Sequence, residues 1–83
     1  MVESTNISVE NVVKVLKQHG KRITKQRLTM INVIIRNDCH NLKELYYEIE
    51  KIDPSIGQAT VYRMVTTLEE VGIIKRVQGY IIK

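Results

Sequence analysis

Tyr62 and Arg63 stand side by side in the stretch "QATVYRMVTT", which covers residues 58–67. An arginine guanidinium can donate two parallel hydrogen bonds to O6 and N7 of guanine in the major groove of DNA. A tyrosine ring can lie against a thymine methyl group while its hydroxyl reaches a phosphate. A ring and a guanidinium that both face solvent therefore predict contact with the base edges of duplex DNA.

The stretch around these two residues has the pattern of an amphipathic helix. At about 100° per residue, one arc of the helix gathers the aliphatic side chains Val61, Met64, Val65, Leu68 and Val71. The opposite side collects Gln58, Ala59, Tyr62, Arg63 and Thr66. Because the aliphatic arc is already complete, the ring of Tyr62 is not needed for the core.

Smaller residues near the start of this helix could complete the contact. Gln58 can pair with adenine, Thr60 can bond a phosphate, and Ala59 is small enough to allow close approach. Glu69 and Glu70 lie at the far end of the helix, where they would repel phosphate. The N-terminal half of the helix is therefore expected to point at the DNA.

A second signal is the segment "KVLKQHGKRITKQR", residues 14–27, which carries six basic residues and no acid. The whole chain has a formal net charge of +4, so this block concentrates its positive charge. Such a local excess favours a polyanion as partner. The alternative interpretation is a solvated lysine-rich face without a ligand.

The composition limits the size and class of the protein. Its 83 residues make one small domain, and a hydrophobic fraction of 43% is enough for a packed core. No long apolar run and no secretory signal are present, so no membrane association is expected. The single Cys39 fits a reducing cytoplasm. No carboxylate pair, Ser/His/Asp set or Gly-rich phosphate loop indicates an enzyme.

Hydrophobic periodicity divides the chain into four helices and a hairpin. The predicted N-caps are Ser8, Thr24, Asn41 with Glu44 in a capping box, and Ser55 with Gln58 at the same spacing. The predicted helix ends are His19-Gly20, Asn37-Asp38, Asp53-Pro54 and Gly72. Two short β-branched runs then flank a turn at Gln78-Gly79. In the second helix, the predicted core face is Leu28, Ile31, Ile34 and Ile35.

This order predicts a protein that is mainly α with a small β-hairpin. The layout is that of a winged helix-turn-helix, with three to four helices plus a two-stranded wing, and residues 1–83 would form this single DNA-binding domain. The fourth helix would enter the major groove. The second helix would cross the phosphate backbone with Lys21, Arg22, Lys25 and Arg27.

The predicted wing could supply further phosphate contacts, and it also allows an alternative interpretation of Tyr62. Lys75 and Arg76 on its first strand could reach phosphates. In the alternative interpretation, Tyr62 packs against the third helix or the wing, and Arg63 pairs with a surface acid.

Four motifs in register resemble one family, the ferric uptake regulator (Fur) family of bacterial metal-dependent repressors. They are "KRITKQR" at 21–27, "KELY" at 43–46, "ATVYR" at 59–63 and "LEEVGIIKR" at 68–76. The resemblance implies that Tyr62 contacts bases, that Arg63 is the groove arginine and that Arg22 enters the minor groove. It implies sequence-specific binding of A+T-rich inverted repeats by a transcriptional regulator, expected to be a repressor.

The chain departs from the family pattern where the family binds metal. Family members continue into a C-terminal domain that dimerises them and holds most ligands of a divalent metal, and this sequence lacks it. Cys39 aligns with the family's one metal ligand from the DNA-binding half, and His40 is its neighbour. Two adjacent residues cannot close a tetrahedral zinc site, so they are weak candidates, and no cofactor is expected within this chain.

The missing domain leaves several expectations open. The chain is either a part of a longer regulator or a natural stand-alone version. It is expected to be a monomer by itself, and a dimer on DNA or through the missing domain. The alternative function is a winged-helix protein-interaction module, for example one that pairs with a full-length regulator.

Overall fold

The computed structural model describes residues 8–36 and 41–82. In chain order the elements are α1 (Val9–Gln18), α2 (Lys25–Arg36), α3 (Leu42–Ile52), α4 (Gln58–Glu70), β1 (Lys75–Val77) and β2 (Tyr80–Ile82). The two strands form one antiparallel hairpin, so the predicted winged helix-turn-helix is confirmed. The predicted helix end at Asn37-Asp38 lies outside the described residues. No helix in the described part of the chain is long and apolar enough to span a membrane.

Local hydrogen bonds set where three of the helices begin. In each case the side-chain oxygen of the predicted N-cap accepts the backbone N–H three residues on, which satisfies an otherwise unpaired donor. The pairs are Ser8 with Asn11 at 3.1 Å, Thr24 with Arg27 at 3.1 Å and Asn41 with Glu44 at 2.9 Å. These three cap predictions are confirmed.

Helices α1 and α4 both end in a Schellman motif around a glycine. Gly20 and Gly72 have positive φ angles of 73° and 84°, which residues with a Cβ rarely adopt. The next N–H groups, of Lys21 and Ile73, donate to carbonyls five residues earlier at 2.9 Å. The sharp stop at Gly20 places Lys21 in the short loop before α2.

The predicted capping box of α4 is wrong. The N-cap of α4 is Gly57, which has no side-chain oxygen to offer. Ser55 instead turns back to Asp53, whose Oδ1 accepts the Ser55 hydroxyl at 2.6 Å and the Ser55 N–H at 3.0 Å. The Asp53 carboxylate and Ser55 form an Asx-type turn, and this turn connects α3 to α4.

The same hydrogen bonds perturb the acidity of Asp53. The Ser55 hydroxyl, then the Ser55 N–H, lower the pKa of the Asp53 carboxyl below its ordinary value. Because the folded-state pKa is lowered, the ionised carboxylate stabilises the turn above the unfolded-state pKa. That contribution is lost as the pH falls through the folded-state value.

We expect Ser55→Ala to raise the pKa of Asp53 part of the way to its ordinary value, because only the hydroxyl bond is lost. Titration of the Asp53 carboxyl carbon by NMR measures it. Ser8→Ala, which removes a hydroxyl from a different helix start, is the control and should leave this pKa unchanged. An unaltered Asp53 titration in Ser55→Ala would contradict the assigned cause.

The core lies between the four helices and beneath the wing. Its buried side chains are Val12, Leu16, Met30, Ile31, Val33, Ile34, Leu45, Ile49, Ile56, Val61, Met64, Val65, Leu68 and Ile74. The predicted core face of α2 is partly wrong, because Leu28 is 38% exposed while Met30 and Val33 are buried. α2 packs against α1, α3 and α4, so its buried face is set by three neighbours. Leu28 falls about 120° from Ile34 around that helix and lies outside this face.

The wing is a tight hairpin with two distinct faces. Gln78 and Gly79 form its two-residue turn with φ angles of 52° and 86°, the combination of a type I′ turn. Arg76 pairs with Ile81 in the strand register, and both are half-buried while their neighbours on each strand are exposed. One face of the wing is therefore turned toward the helices and the other toward solvent.

Candidate nucleic-acid interface

Helix α4 turns its polar side outward, as the helical wheel predicts. Gln58, Ala59 and Arg63 are exposed, and Tyr62 is 52% exposed. The aliphatic side chains on the other side of the helix are buried in the core. An aromatic ring and a guanidinium thus lie at the surface on adjacent residues.

Arg63 lies in a cleft of about 310 Å³ between the N-terminal parts of α2 and α4. Thr24, Arg27 and Thr60 are among the residues that line this cleft. Nη2 of Arg63 donates to the Thr60 hydroxyl at 3.3 Å, and Arg63 makes no ion pair with any residue of 8–36 or 41–82. Its guanidinium therefore keeps donors for a ligand, in contrast to the alternative in which it pairs with a surface acid.

The basic residues at the start of α2 lie beside this cleft. Arg22 and Lys25 are exposed, and Lys21 is half-buried. Arg27 donates Nη1 to the carbonyl of Arg22 at 2.6 Å, so it closes the loop before α2 as well as lining the cleft. Because Arg27 and Arg63 share one cleft, the basic start of α2 and the outward side of α4 lie on the same side of the domain.

The two basic residues of β1 differ in exposure. Lys75 is exposed, whereas the side chain of Arg76 is 24% exposed and faces α4. Nε and Nη2 of Arg76 donate to Oε1 of Glu69 at 3.0 and 2.8 Å, and its Cζ lies 5.1 Å from the centre of the Tyr62 ring. Tyr62 first, and Glu69 second, raise the pKa of Arg76 above its ordinary value, so the guanidinium stays charged.

This geometry changes the interpretation of two predicted contacts. Lys75 has the exposure that a phosphate contact needs, while the Arg76 guanidinium is already engaged within the protein. The alternative placement of Tyr62 against the wing is met in part, because one side of its ring lies against Arg76 although the residue is half exposed.

Thr66 is less accessible than the wheel of α4 predicts. Its hydroxyl oxygen is enclosed and has no hydrogen-bond partner within the described ranges. Thr66 lies four residues after Tyr62 and three before Glu69, so it shares their side of the helix. The wing contacts both of those residues through Arg76. The hydroxyl is enclosed in this structure, and the contact of Thr66 with DNA stays a prediction.

An open groove of about 610 Å³ runs between α3 and α4. Tyr62 lines it from α4, and Leu42, Lys43 and Tyr46 line it from α3. Lys43 and Tyr46 were not predicted as neighbours of the candidate base contacts. The available signal was the motif "KELY", whose first and last residues both reach this groove.

The metal candidates Cys39 and His40 lie outside the described residues. Within the described ranges, no group of three or more His, Cys, Asp or Glu side chains could hold a metal ion. The described donors therefore do not fit a structural zinc site, which needs four ligands in tetrahedral arrangement.

A helix-turn-helix with a two-stranded wing places the protein in the winged-helix class. The model of the ferric uptake regulator family matches residues 18–80, and the chain belongs to that family. It is 36% identical over 72 residues to the ferric uptake regulation protein of Campylobacter jejuni, covering 83% of this chain and 46% of that protein. It is 31% identical over 75 residues to the peroxide-responsive repressor PerR of Staphylococcus aureus, covering 89% and 51%.

Among solved structures, a zinc-bound manganese uptake regulator matches with a TM-score of 0.77 at 28% identity, covering 87% of this chain and 59% of that one. The family resemblance inferred from four sequence motifs is thereby confirmed. The chain spans about half the length of the curated relatives it matches. Their names are those of regulators, so the family is one of bacterial regulatory proteins and not of enzymes.

Proposed function

We propose that the protein binds duplex DNA in a sequence-specific way as a transcriptional regulator, with α4 in the major groove. The observation that carries the proposal is the exposure of Tyr62 and Arg63 on a helix whose aliphatic side is already buried. The named relatives include a repressor, which supports repression as the direction of regulation.

Each exposed residue of α4 has a chemical role in this proposal. Arg63 donates two hydrogen bonds to guanine, and Gln58 pairs with adenine. Tyr62 lays its ring against a thymine methyl, which suits an A+T-rich site. Thr60 bonds a phosphate, and Ala59 lets the helix approach the groove closely. An inverted repeat would bring two copies of the domain to one site.

Phosphate contacts come from basic residues beside α4, of which Arg22, Lys25 and Lys75 are exposed and Lys21 is half-buried. Lys21, Arg22 and Lys25 supply them from the start of α2, with Arg22 reaching toward the minor groove, and Lys75 supplies one from the wing. A single small domain makes few such contacts, so its binding should be weak and strongly salt-dependent.

We extend the proposal to regulation by a divalent metal held outside the described residues. The solved neighbour is a zinc-bound manganese uptake regulator, and the described ranges hold no cluster of metal ligands of their own. The proposed site of action is the cytoplasm, where bacterial DNA lies.

Titration of the isotope-labelled chain with duplex DNA tests the function. A preferred duplex, selected by the protein from a random pool, should shift amide signals within residues 21–27 and 58–66. A random duplex should shift mainly the first set, because only phosphate contacts remain. If neither duplex moves either set, DNA binding is wrong, and the protein-interaction module becomes the better explanation.

Lys21→Ala should weaken binding to preferred and random duplexes by the same factor, because phosphate contacts carry no sequence information. The slope of log K against log salt should become less negative by about 0.9. Lys51→Ala is the control: the Lys51 ammonium pairs with Glu48 at 3.3 Å, so its loss should leave the slope unchanged. A loss of preference without a change of slope in Lys21→Ala would contradict the backbone role.

A further inference from the structure

The inward face of the wing carries one charged side chain, Arg76. The strand register places it opposite Ile81, which packs against the core. A β-bridge between Asn41 and Tyr80 ties the same hairpin to the start of α3. The wing is thus attached to the helices at three points, and Arg76 is the point that lies against α4.

The Arg76 guanidinium joins two residues that are two helical turns apart. Glu69 and Tyr62 are separated by seven residues, which is about 10 Å along the axis, on the same side of α4. Arg76 donates two hydrogen bonds to Glu69 and places its Cζ 5.1 Å from the Tyr62 ring centre. The planar Arg76 guanidinium therefore contacts the Tyr62 ring on one side and is hydrogen-bonded to the Glu69 carboxylate on the other.

Tyr62 borders the open groove between α3 and α4, which Leu42 and Tyr46 line from α3. The open space of that groove, about 610 Å³, leaves room for the ring to turn further inward. Burial of the ring in that groove would remove apolar surface from water, which favours inward rotation. Contact with Arg76 opposes this rotation, because a guanidinium is attracted to the face of an aromatic ring.

We propose that Arg76 is a positioning residue: it holds the Tyr62 ring out of the α3–α4 groove, in the orientation that base recognition requires, and does not itself contact phosphate. This inference rests on the proposed DNA-binding function. The Glu69 carboxylate compensates the Arg76 charge, and the side chain is only 24% exposed, so little is left for a phosphate. The ring, in contrast, depends on Arg76 for its place at the surface.

Arginine is the residue type that this role needs. Its planar guanidinium can stack on a ring and donate to a carboxylate in the plane at the same time, whereas the ammonium of lysine is a point charge. Arg76→Lys keeps the charge and loses the plane, and Arg76→Met keeps the apolar stem and loses the charge. The two variants separate positioning from charge.

Binding measurements with the full chain test the proposal. Arg76→Lys and Arg76→Met should both lower the ratio of preferred to random duplex affinity by roughly five- to twentyfold, because one base contact is misplaced. Neither should change the salt slope. Lys75→Met, at the exposed neighbour, is the matched control: it should make the slope less negative by about 0.9 and keep the ratio.

A second readout needs no DNA. In the original chain, nuclear Overhauser effects should connect the Tyr62 ring to Arg76. In Arg76→Lys they should connect it to Leu42 and Tyr46 instead, while amide dispersion and melting temperature stay near the original. In a Tyr62→Ala background, Arg76→Lys should have no further effect on the preference ratio, since the residue acts through the ring.

Glu69→Gln covers the case in which the Arg76 variants fail to fold. It keeps an acceptor oxygen but loses the carboxylate charge, which weakens the hydrogen bonds from Arg76. It should therefore lower the preference ratio by less than Arg76→Lys does. An unchanged preference ratio in Glu69→Gln would overturn the proposal.

Two further results would overturn it. One is an Arg76→Lys chain with the original preference. The other is an Arg76→Met chain that loses affinity for both duplexes equally, with a slope less negative by about 0.9. If the wild-type chain still prefers its selected duplex, either result refutes only the positioning role of Arg76. A wild-type chain that selects no duplex refutes the proposed function, and the inference falls with it.

Discussion

Arg63→Ala is expected to lower the preference for a selected duplex over random DNA by about 5- to 150-fold. A bidentate contact with guanine discriminates against the wrong base by about 1–3 kcal/mol, and 1.4 kcal/mol is a factor of ten. Arg63 can make this contact because it is exposed, and its one described side-chain hydrogen bond goes to Thr60. Competition binding of both duplexes at one salt concentration measures the ratio.

Two variants of the same helix complete this experiment. Tyr62→Ala should lower the ratio by less, because it removes an apolar contact and no hydrogen-bonded pair. Glu70→Ala is the matched control, since Glu70 is exposed in the last turn of α4, away from the expected groove contacts. It should keep the ratio. If Arg63→Ala and Tyr62→Ala both keep the original preference, α4 is not the recognition helix.

Features that depend on near neighbours in the chain could be predicted from the sequence. The caps at Ser8, Thr24 and Asn41 each need only a backbone N–H three residues on, and the structure shows all three. Gln78-Gly79 could be recognised as a turn because a two-residue hairpin loop needs residues that accept positive φ. These signals, with the periodicity of the helices, were enough to predict the winged-helix fold.

The outward side of α4 was also predictable, for a related reason. A complete aliphatic arc fixes how the helix faces the core, and the remaining arc must face away from it. Exposure of Tyr62 and Arg63 follows from this single constraint. Ser55 shows where a local rule fails, because its hydroxyl and N–H donate to the Asp53 carboxylate two residues earlier, and α4 begins after Gly57 without a side-chain cap.

Contacts between elements distant in sequence decided the rest. The Thr66 hydroxyl is enclosed and Arg76 is bound by Glu69 of α4, although Thr66 lies on the polar arc of a helix and Arg76 is an arginine on a short strand. The sequence pattern of one element does not show which residues of another element will pack against it, so the environment of these two residues could not be predicted. Leu28 is exposed for the same reason. Packing against three helices orients α2 so that its most regular apolar stripe does not face the core as a whole.

Leu68→Ala is expected to lower the free energy of unfolding strongly. Leu68 is fully buried within the core, so its truncation removes apolar contacts and leaves a cavity. Substitutions of this kind cost about 2–5 kcal/mol, a large part of the roughly 5–15 kcal/mol that holds a typical domain folded. Urea unfolding followed by circular dichroism measures the difference at an unchanged m-value.

Leu28→Ala is the control, because the same side chain is lost from a position that is 38% exposed. It should cost clearly less than Leu68→Ala, since more than a third of its surface is already in water. The pair also decides how α2 is oriented. Periodicity alone places Leu28 in the core, whereas the structure places Met30 and Val33 there. If Leu28→Ala destabilises the protein as much as Leu68→Ala does, α2 is turned as its sequence stripe predicts. In that case its packing against α4 differs from the one described.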